Sequence, residues 1–173
     1  MRRFVLILSN CFVSCAIAAC ATRKTTPTTT PDVYFTPGTD CENAIIARIN
    51  TSTAMDIAVY AISNPRIGDA IITAHGRGAS IRIISDRTQA KNKASLIDTF
   101  RGAGIPVVLN RGTKIEHNKF AVFDNQTVIT GSYNWTTNAT KYNSENCVSI
   151  PTLATEYSMR FDTLWKKYTN TAN

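Results

Sequence analysis

At 173 residues the chain has room for one domain with one sizeable core, and none for a second domain of ordinary size. A hydrophobic fraction of 43 % excludes a disordered chain. The formal net charge of +7 is concentrated, since ten Lys/Arg face only four Asp/Glu between residues 66 and 119. Such a segment suits an anionic ligand, nucleic acid or a phospholipid surface, with a solvated basic face as the plain alternative.

Met1-Arg2-Arg3 is a short positive start, and residues 4–19 are mostly apolar but too few for a comfortable membrane span. The pattern predicts a signal peptide over 1–21. Ala16-Ile17-Ala18 and Ala19-Cys20-Ala21 both fit a small-residue cleavage site. Ile17-Ala18-Ala19-Cys20 also resembles a bacterial lipobox, whose cysteine is acylated and becomes the new N-terminus. Secretion or release into a bacterial periplasm, and membrane association through a lipid anchor on Cys20, both stay open; export is common to them. Residues 22–31, rich in Thr and Pro, predict an extended tether. Three of the five cysteines fall in the leader, which leaves Cys41 and Cys147 for the body. Two cysteines in an exported protein invite a disulfide. Its loop of about a hundred residues would contribute roughly 4–5 kcal/mol in the chain-entropy model; two separately buried thiols are the alternative.

The body, 32–173, alternates strand and helix. Val33-Tyr34-Phe35 reads as a short strand, and Thr39-Asp40-Cys41-Glu42 as a capping box opening a helix with Ile45, Ile46 and Ile49 inward. Residues 54–62 predict a long apolar strand. Asn64-Pro65 supplies an N-cap and a first-turn proline to a helix striped by Ile67, Ala70, Ile71 and Ala74, with Gly76 and Gly78 as its stop. A strand over 81–84 follows, then a helix over 90–101 with Leu96, Ile97 and Phe100 inward and Gly102 or Gly104 beyond it. Residues 106–109 are the next strand and 110–116 a polar loop. Two strands, 120–123 and 127–130, are joined by the turn Asp124-Asn125-Gln126. A short helix after Asn134, a strand over 145–150 and a helix begun by Pro151 complete the order. Leu153, Tyr157, Phe161, Leu164, Trp165 and Tyr168 give that last helix its core stripe. The order predicts an α/β fold: a mixed, mostly parallel sheet flanked by helices on both faces, with right-handed crossovers. At least one pair must be antiparallel, because the 124–126 turn is too short for a crossover.

His117 and Lys119, two apart on an extended chain, share a face at a separation of about 7 Å. Ser132 and Asn134, after Gly131, leave the next strand in the same way. An imidazole, an ammonium, a hydroxyl and an amide at neighbouring strand ends can surround one phosphate group. Taken singly, His-x-Lys is a common surface pattern and Gly-Ser-x-Asn a common turn into a helix cap. Their joint spacing is what points to a site. His117-x-Lys119-x4-Asp124, Gly131-Ser132-x-Asn134 and Glu145 in Asn143-Ser144-Glu145-Asn146 together resemble the phospholipase D superfamily signature, and the element order from residue 33 onward fits that fold.

The resemblance implies roles. His117 would be the nucleophile that forms a phosphohistidine, with Lys119 and Asn134 binding the non-bridging phosphate oxygens. Ser132 would orient that group, Glu145 would hold the far nitrogen of His117, and Asp124, out of phase with His117 and Lys119, would support them. One motif in a short chain looks like the superfamily's small exported endonucleases, whereas most lipases of the group carry two. Physical reasons stand beside the likeness. A phosphodiester repels anionic nucleophiles, so a neutral imidazole among cationic and amide donors is a sensible attacker. A carboxylate on the other ring nitrogen fixes the tautomer and stabilises the imidazolium.

The leaving alkoxide needs a proton that the attacking histidine cannot supply in the same step. His75, the only other histidine, reads as surface or structural at a helix end. The acid is therefore expected from a second copy of the chain, in a homodimer with two His117 residues facing across a twofold axis. No metal is implied, since the body offers no His-x-x-x-His or Cys-x-x-Cys pair, and no cofactor is expected. The expected activity is a metal-independent phosphodiesterase, foremost a nonspecific nuclease on DNA or RNA. Arg87, Lys91, Lys93, Arg111 and Lys114 would follow backbone phosphates, with Arg111 and Lys114 in the loop leading to His117. The alternative is a phospholipase D-type hydrolase of membrane phospholipids; a lipid anchor favours it, and the polar 110–116 loop argues against it. A catalytically idle nucleic-acid-binding module is a third reading, opposed by the intact motif.

Overall fold

The computed structural model describes residues 30–111 and 113–170. The expected signal peptide, the acylation candidate Cys20 and the tether as far as residue 29 lie outside the described residues. Among those described, seven strands form one sheet: β1 (Asp32–Phe35), β2 (Ala54–Val59), β3 (Ser80–Ser85), β4 (Val107–Leu109), β5 (Lys119–Phe123), β6 (Thr127–Gly131) and β7 (Asn146–Ile150). Their spatial order is β1-β7-β6-β5-β2-β3-β4. The helices are α1 (Asp40–Thr51), α2 (Pro65–Gly76), α3 (Ile97–Gly102), α4 (Thr137–Lys141) and α5 (Ala154–Asn170).

The sheet is mixed and covered on both faces, as the element order predicts. Five strands run in one direction and only β5 and β7 oppose it. Parallel pairing is nevertheless confined to β2–β3 and β3–β4, because β5 and β7 are interleaved among the others and make the remaining four contacts antiparallel. Alternation along each strand divides the core in two. Ile57, Val59, Ile83, Ala121 and Ile129 face α1, α2 and α3, against Ile45, Ile49, Ile67, Ile71 and Phe100. Ala58, Ile84, Phe120, Val122 and Val128 face α5, against Phe161 and Leu164.

Local chemistry explains where the elements depart from expectation. Asn64 caps α2 as predicted, its side-chain oxygen accepting from Arg66 N at 2.9 Å ahead of Pro65 at the first turn. Thr39 makes no such bond to α1, and its hydroxyl accepts from the Asn43 side chain at 3.2 Å. The capping box fails because Glu42 turns inward instead: it is 4 % exposed, pairs with Arg66, and accepts from Asn64 and Thr140, tying α1 to α2 and α4. The expected strand 54–62 stops at Val59, although Tyr60 N still donates to Asn118 O at 2.8 Å. The expected helix 90–101 breaks in two, a 3-10 turn at Gln89–Lys91 and then α3. Between them the Asn92 side chain accepts from Ala94 N, a local bond that competes with the helical ladder. The last helix starts at Ala154, not Pro151, and Leu153 falls outside its buried stripe at 39 % exposure.

Arg82 faces Asp56 across β2–β3, bonds it through two nitrogens at 2.7 and 2.8 Å, reaches Asp162 at 2.8 Å and lies over the Phe161 ring. It thereby staples α5 to the sheet. Arg66 and Arg82 are spent on structure, so the basic segment offers a ligand less charge than its composition suggests. Cys41 and Cys147 are both buried and both free, so the expected disulfide is not formed in the structure.

Candidate active site

Because β5 and β7 oppose β2 and β6, the starts of the first pair and the ends of the second meet at one rim of the sheet. Lys119 opens β5 opposite Val59, the last residue of β2, and Gly131 closes β6 opposite Cys147 near the start of β7. His117, Tyr60, Ser132, Asn134 and Glu145 lie just beyond those ends. Topology, more than any local motif, gathers them.

Lys119 is 9 % exposed, and its ammonium donates to His117 O at 2.8 Å and sits 5.1 Å from the centre of the Tyr60 ring. His117 itself is exposed, with its ring 4.7 Å from that of Tyr60 in an edge-on contact. The Tyr60 hydroxyl accepts from Gln89 Nε2 at 2.9 Å, so one anchored phenol positions both motif residues. Burial pushes the Lys119 ammonium below the usual lysine range, and Glu145 and Glu116 pull it back only in part.

Gly131 is required by close approach: a Cβ there would run into the Asn146 carbonyl oxygen of β7. The same carbonyl accepts from Ser132 N at 3.1 Å and Tyr133 N at 3.3 Å, while Ser132 Oγ accepts from Asn146 N at 3.1 Å. The Ser132 hydroxyl thus fixes the β6–β7 end as well as facing the rim. Asn134 Oδ1 is buried without a hydrogen-bond partner, an arrangement that asks for a ligand or water at this amide. Glu145 Oε1 accepts from Asn143 Nδ2 at 3.1 Å, and no hydrogen bond joins Glu145 to His117 among the described residues. Its charge is nonetheless felt by Lys119.

Asp124 does not belong to this group. It sits at the opposite end of β5, where Oδ1 accepts from Thr53 N (2.9 Å), Thr53 Oγ1 (3.0 Å) and Ala54 N (2.9 Å). Its support of the site is indirect, through the register of β5 on β2. His75 occupies the last turn of α2, at the rim where β3 begins, and takes no part either.

Sequence reading missed Glu116 and its partners. Glu116 is 3 % exposed; one carboxylate oxygen accepts from Tyr168 of α5 at 2.6 Å, and the other accepts from Asn118 N (3.3 Å) and the Asn118 side chain. The carboxylate therefore straps the residues on either side of His117. Buried Asp86 accepts from Glu116 N at 3.1 Å, and Asn110 donates to Lys114 O at 2.6 Å, so the 110–118 loop is held at several points. No sequence signal marks Glu116, since nothing local distinguishes a buried glutamate from a solvated one. Arg111 and Lys114 are exposed on this loop, and Arg87, Lys91 and Lys93 are exposed on the segment that leaves β3 at the same rim.

Two hollows flank the centre. On the side of α2 and α4 a cleft of about 470 Å³ is lined by Tyr60, Gln89, Asn92, Asn134 and Asn138, with no charged side chain. On the α5 side a groove of about 380 Å³ is lined by His117, Lys114, Arg160 and Lys167.

The family model described as "Cardiolipin synthase, PLD-like domain" matches residues 45–165. A mitochondrial cardiolipin hydrolase of Chlamydomonas reinhardtii is 38 % identical over 121 residues, 69 % of this chain and 54 % of the relative. A phospholipase D of Rickettsia bellii is 36 % identical over 117 residues, 67 % of this chain and 58 % of the relative. The chain thus spans little more than half the length of these curated relatives. Among solved structures, Nuc, a phospholipase D family member from Salmonella typhimurium, superposes with a TM-score of 0.74 at 28 % identity, over 79 % of this chain and 94 % of that one. NucT from Helicobacter pylori shares the fold with a TM-score of 0.75 at 24 % identity, over 79 % and 96 % of the two chains.

Proposed function

As the chain belongs to the phospholipase D superfamily, we propose that it is a phosphodiester hydrolase, and specifically a nonspecific endonuclease acting through a phosphohistidine on His117 in a homodimer. The observation that carries this reading is the pair of hollows on the two sides of the His117–Lys119–Tyr60 centre. A polymer needs room on both sides of the scissile phosphate. The uncharged, amide-rich cleft beside Tyr60 suits a nucleoside, whose base can stack and hydrogen-bond there, and the basic groove suits the next phosphate.

In this mechanism the imidazole of His117 attacks phosphorus while Lys119 and the Asn134 amide neutralise the non-bridging oxygens. The P–O bond to the leaving nucleotide breaks, and the second copy of His117 gives its proton to that oxygen. Water then attacks the phosphohistidine, surrendering its proton to the second copy and freeing His117. Glu145 exchanges Asn143 for the imidazolium as charge develops. Export, by secretion or with an anchor on Cys20, places this activity outside the cytoplasm.

The test is cleavage of plasmid and single-stranded DNA in EDTA. Wild type cleaves both, and His117→Ala loses activity by ~10³-fold or more. Abolition by EDTA with rescue by a divalent ion would overturn the scheme. A second reading, hydrolysis of phospholipid headgroups, has one observation in its favour: Ile115, 60 % exposed, stands beside Lys114 two residues before His117 and could enter an anionic bilayer surface. Headgroup release from cardiolipin vesicles without DNA cleavage would put that reading first.

A further inference from the structure

Two buried sulfur atoms stand outside everything the site uses. Cys41, in the first turn of α1, is 0 % exposed, and Cys147, on β7, is 2 % exposed. Cys41 Sγ donates to the carbonyl oxygen of Tyr34 at 3.5 Å, and Tyr34 is the β1 residue directly opposite Cys147 in the β1–β7 ladder. The start of α1 is therefore pressed onto the one rung that carries the other cysteine. The nearness of the Cys41 thiol, together with burial, pushes that of Cys147 above its usual range.

The position matters as much as the proximity. Cys147 follows Glu145 and Asn146, and Asn146 is the residue that accepts from Ser132 and Tyr133 and donates to Ser132. On its other side β7 is guarded only by β1, a four-residue edge strand with three exposed residues. A fray at that edge loosens β7 and, with it, the wall of the candidate site. A bond from α1 to β7 would remove that weakness.

We propose that Cys41 and Cys147 are an oxidisable pair whose disulfide locks β7, and with it the Glu145–Asn146 wall, to α1. Opening of the β1 edge, or incomplete folding, admits the oxidant, a small-molecule or protein disulfide. The Cys41 thiolate attacks one of its sulfurs and expels the first thiol. Cys147 then loses its proton, attacks the Cys41 sulfur and expels the second. Two protein thiols are oxidised by two electrons, and the oxidant disulfide is reduced to two thiols. Nothing in the step depends on what the enzyme hydrolyses.

The experiment treats the full chain with oxidised glutathione, blocks remaining thiols, and maps peptides without reduction, which separates this bond from any made by Cys11, Cys15 or Cys20. The expected result is a linked peptide pair carrying Cys41 and Cys147, and an unfolding midpoint about 5–10 °C above that of the reduced protein. Cys41→Ala should show neither. The wild-type comparison of oxidised with reduced protein decides the matter even if that variant does not fold. Recovery of both residues as free thiols, attachment of a separate glutathione to each, or an unchanged midpoint overturns the proposal.

Discussion

An ammonium group with a relative exposure of 9 % is held at a cost, and Lys119 shows which side of the balance wins. Its folded pKa lies below the ordinary lysine value because burial disfavours the charge. Folding therefore opposes protonation of this group. The cost is present at every pH below the folded pKa and fades as pH rises through it. Lys119→Met, similar in length and uncharged, should then melt no lower than wild type at neutral pH while losing at least about a hundredfold in activity. Calorimetry beside a cleavage assay checks this, and a clear fall in the melting temperature would show that Lys119 is kept for packing. Lys119, His117, Ser132, Asn134 and Glu145 were legible because each stands at a fixed spacing within a short stretch. Tyr60, Glu116 and Tyr168 were not. Tyr168 meets Glu116 across 52 positions, and no local pattern encodes such a contact.

At the scale of elements, the β5–β6 hairpin sets the register on which the site depends. Asp124 and Asn125 both have φ of 52° and form the centre of the turn that Gln126 N closes on Phe123 O at 2.9 Å. Burial works to raise the Asp124 carboxyl, but the donors at Thr53 and Ala54 outweigh it and hold the group below its ordinary value. The unfolded chain thus binds this proton more readily than the folded one. The resulting stability is fully present above about pH 4 and is lost as pH falls through the lowered folded value. Asp124→Asn keeps an acceptor and tolerates positive φ but carries no charge. Its melting temperature should lie below wild type at pH 6, with the gap closing towards pH 3; a gap that stays constant would contradict the assignment. Element boundaries were legible where the signal is local, as at Asn64-Pro65. They failed where a side chain had a distant partner, as Glu42 has in Arg66, or where Asn92 bonded its own backbone.

For the whole molecule, the alternation of strands and helices made the layered α/β architecture legible. It could not reveal that β7 returns between β6 and β1, because only tertiary pairing fixes that order. The rim that results carries His117, and the proposed mechanism draws its proton donor from a second copy of the chain. Light scattering during chromatography should find the active species at twice the mass of the chain. An active monomer would remove the second copy from the mechanism. The strap at Glu116 adds a consequence for the order of events in the cell. Translation delivers His117, Lys119, Asn134 and Glu145 before it delivers α5, whose Tyr168 closes on the carboxylate beside His117. A nascent chain therefore carries every motif side chain for some time without the latch beside His117. The order of synthesis thus puts the latch last, after every residue that it is to hold in place.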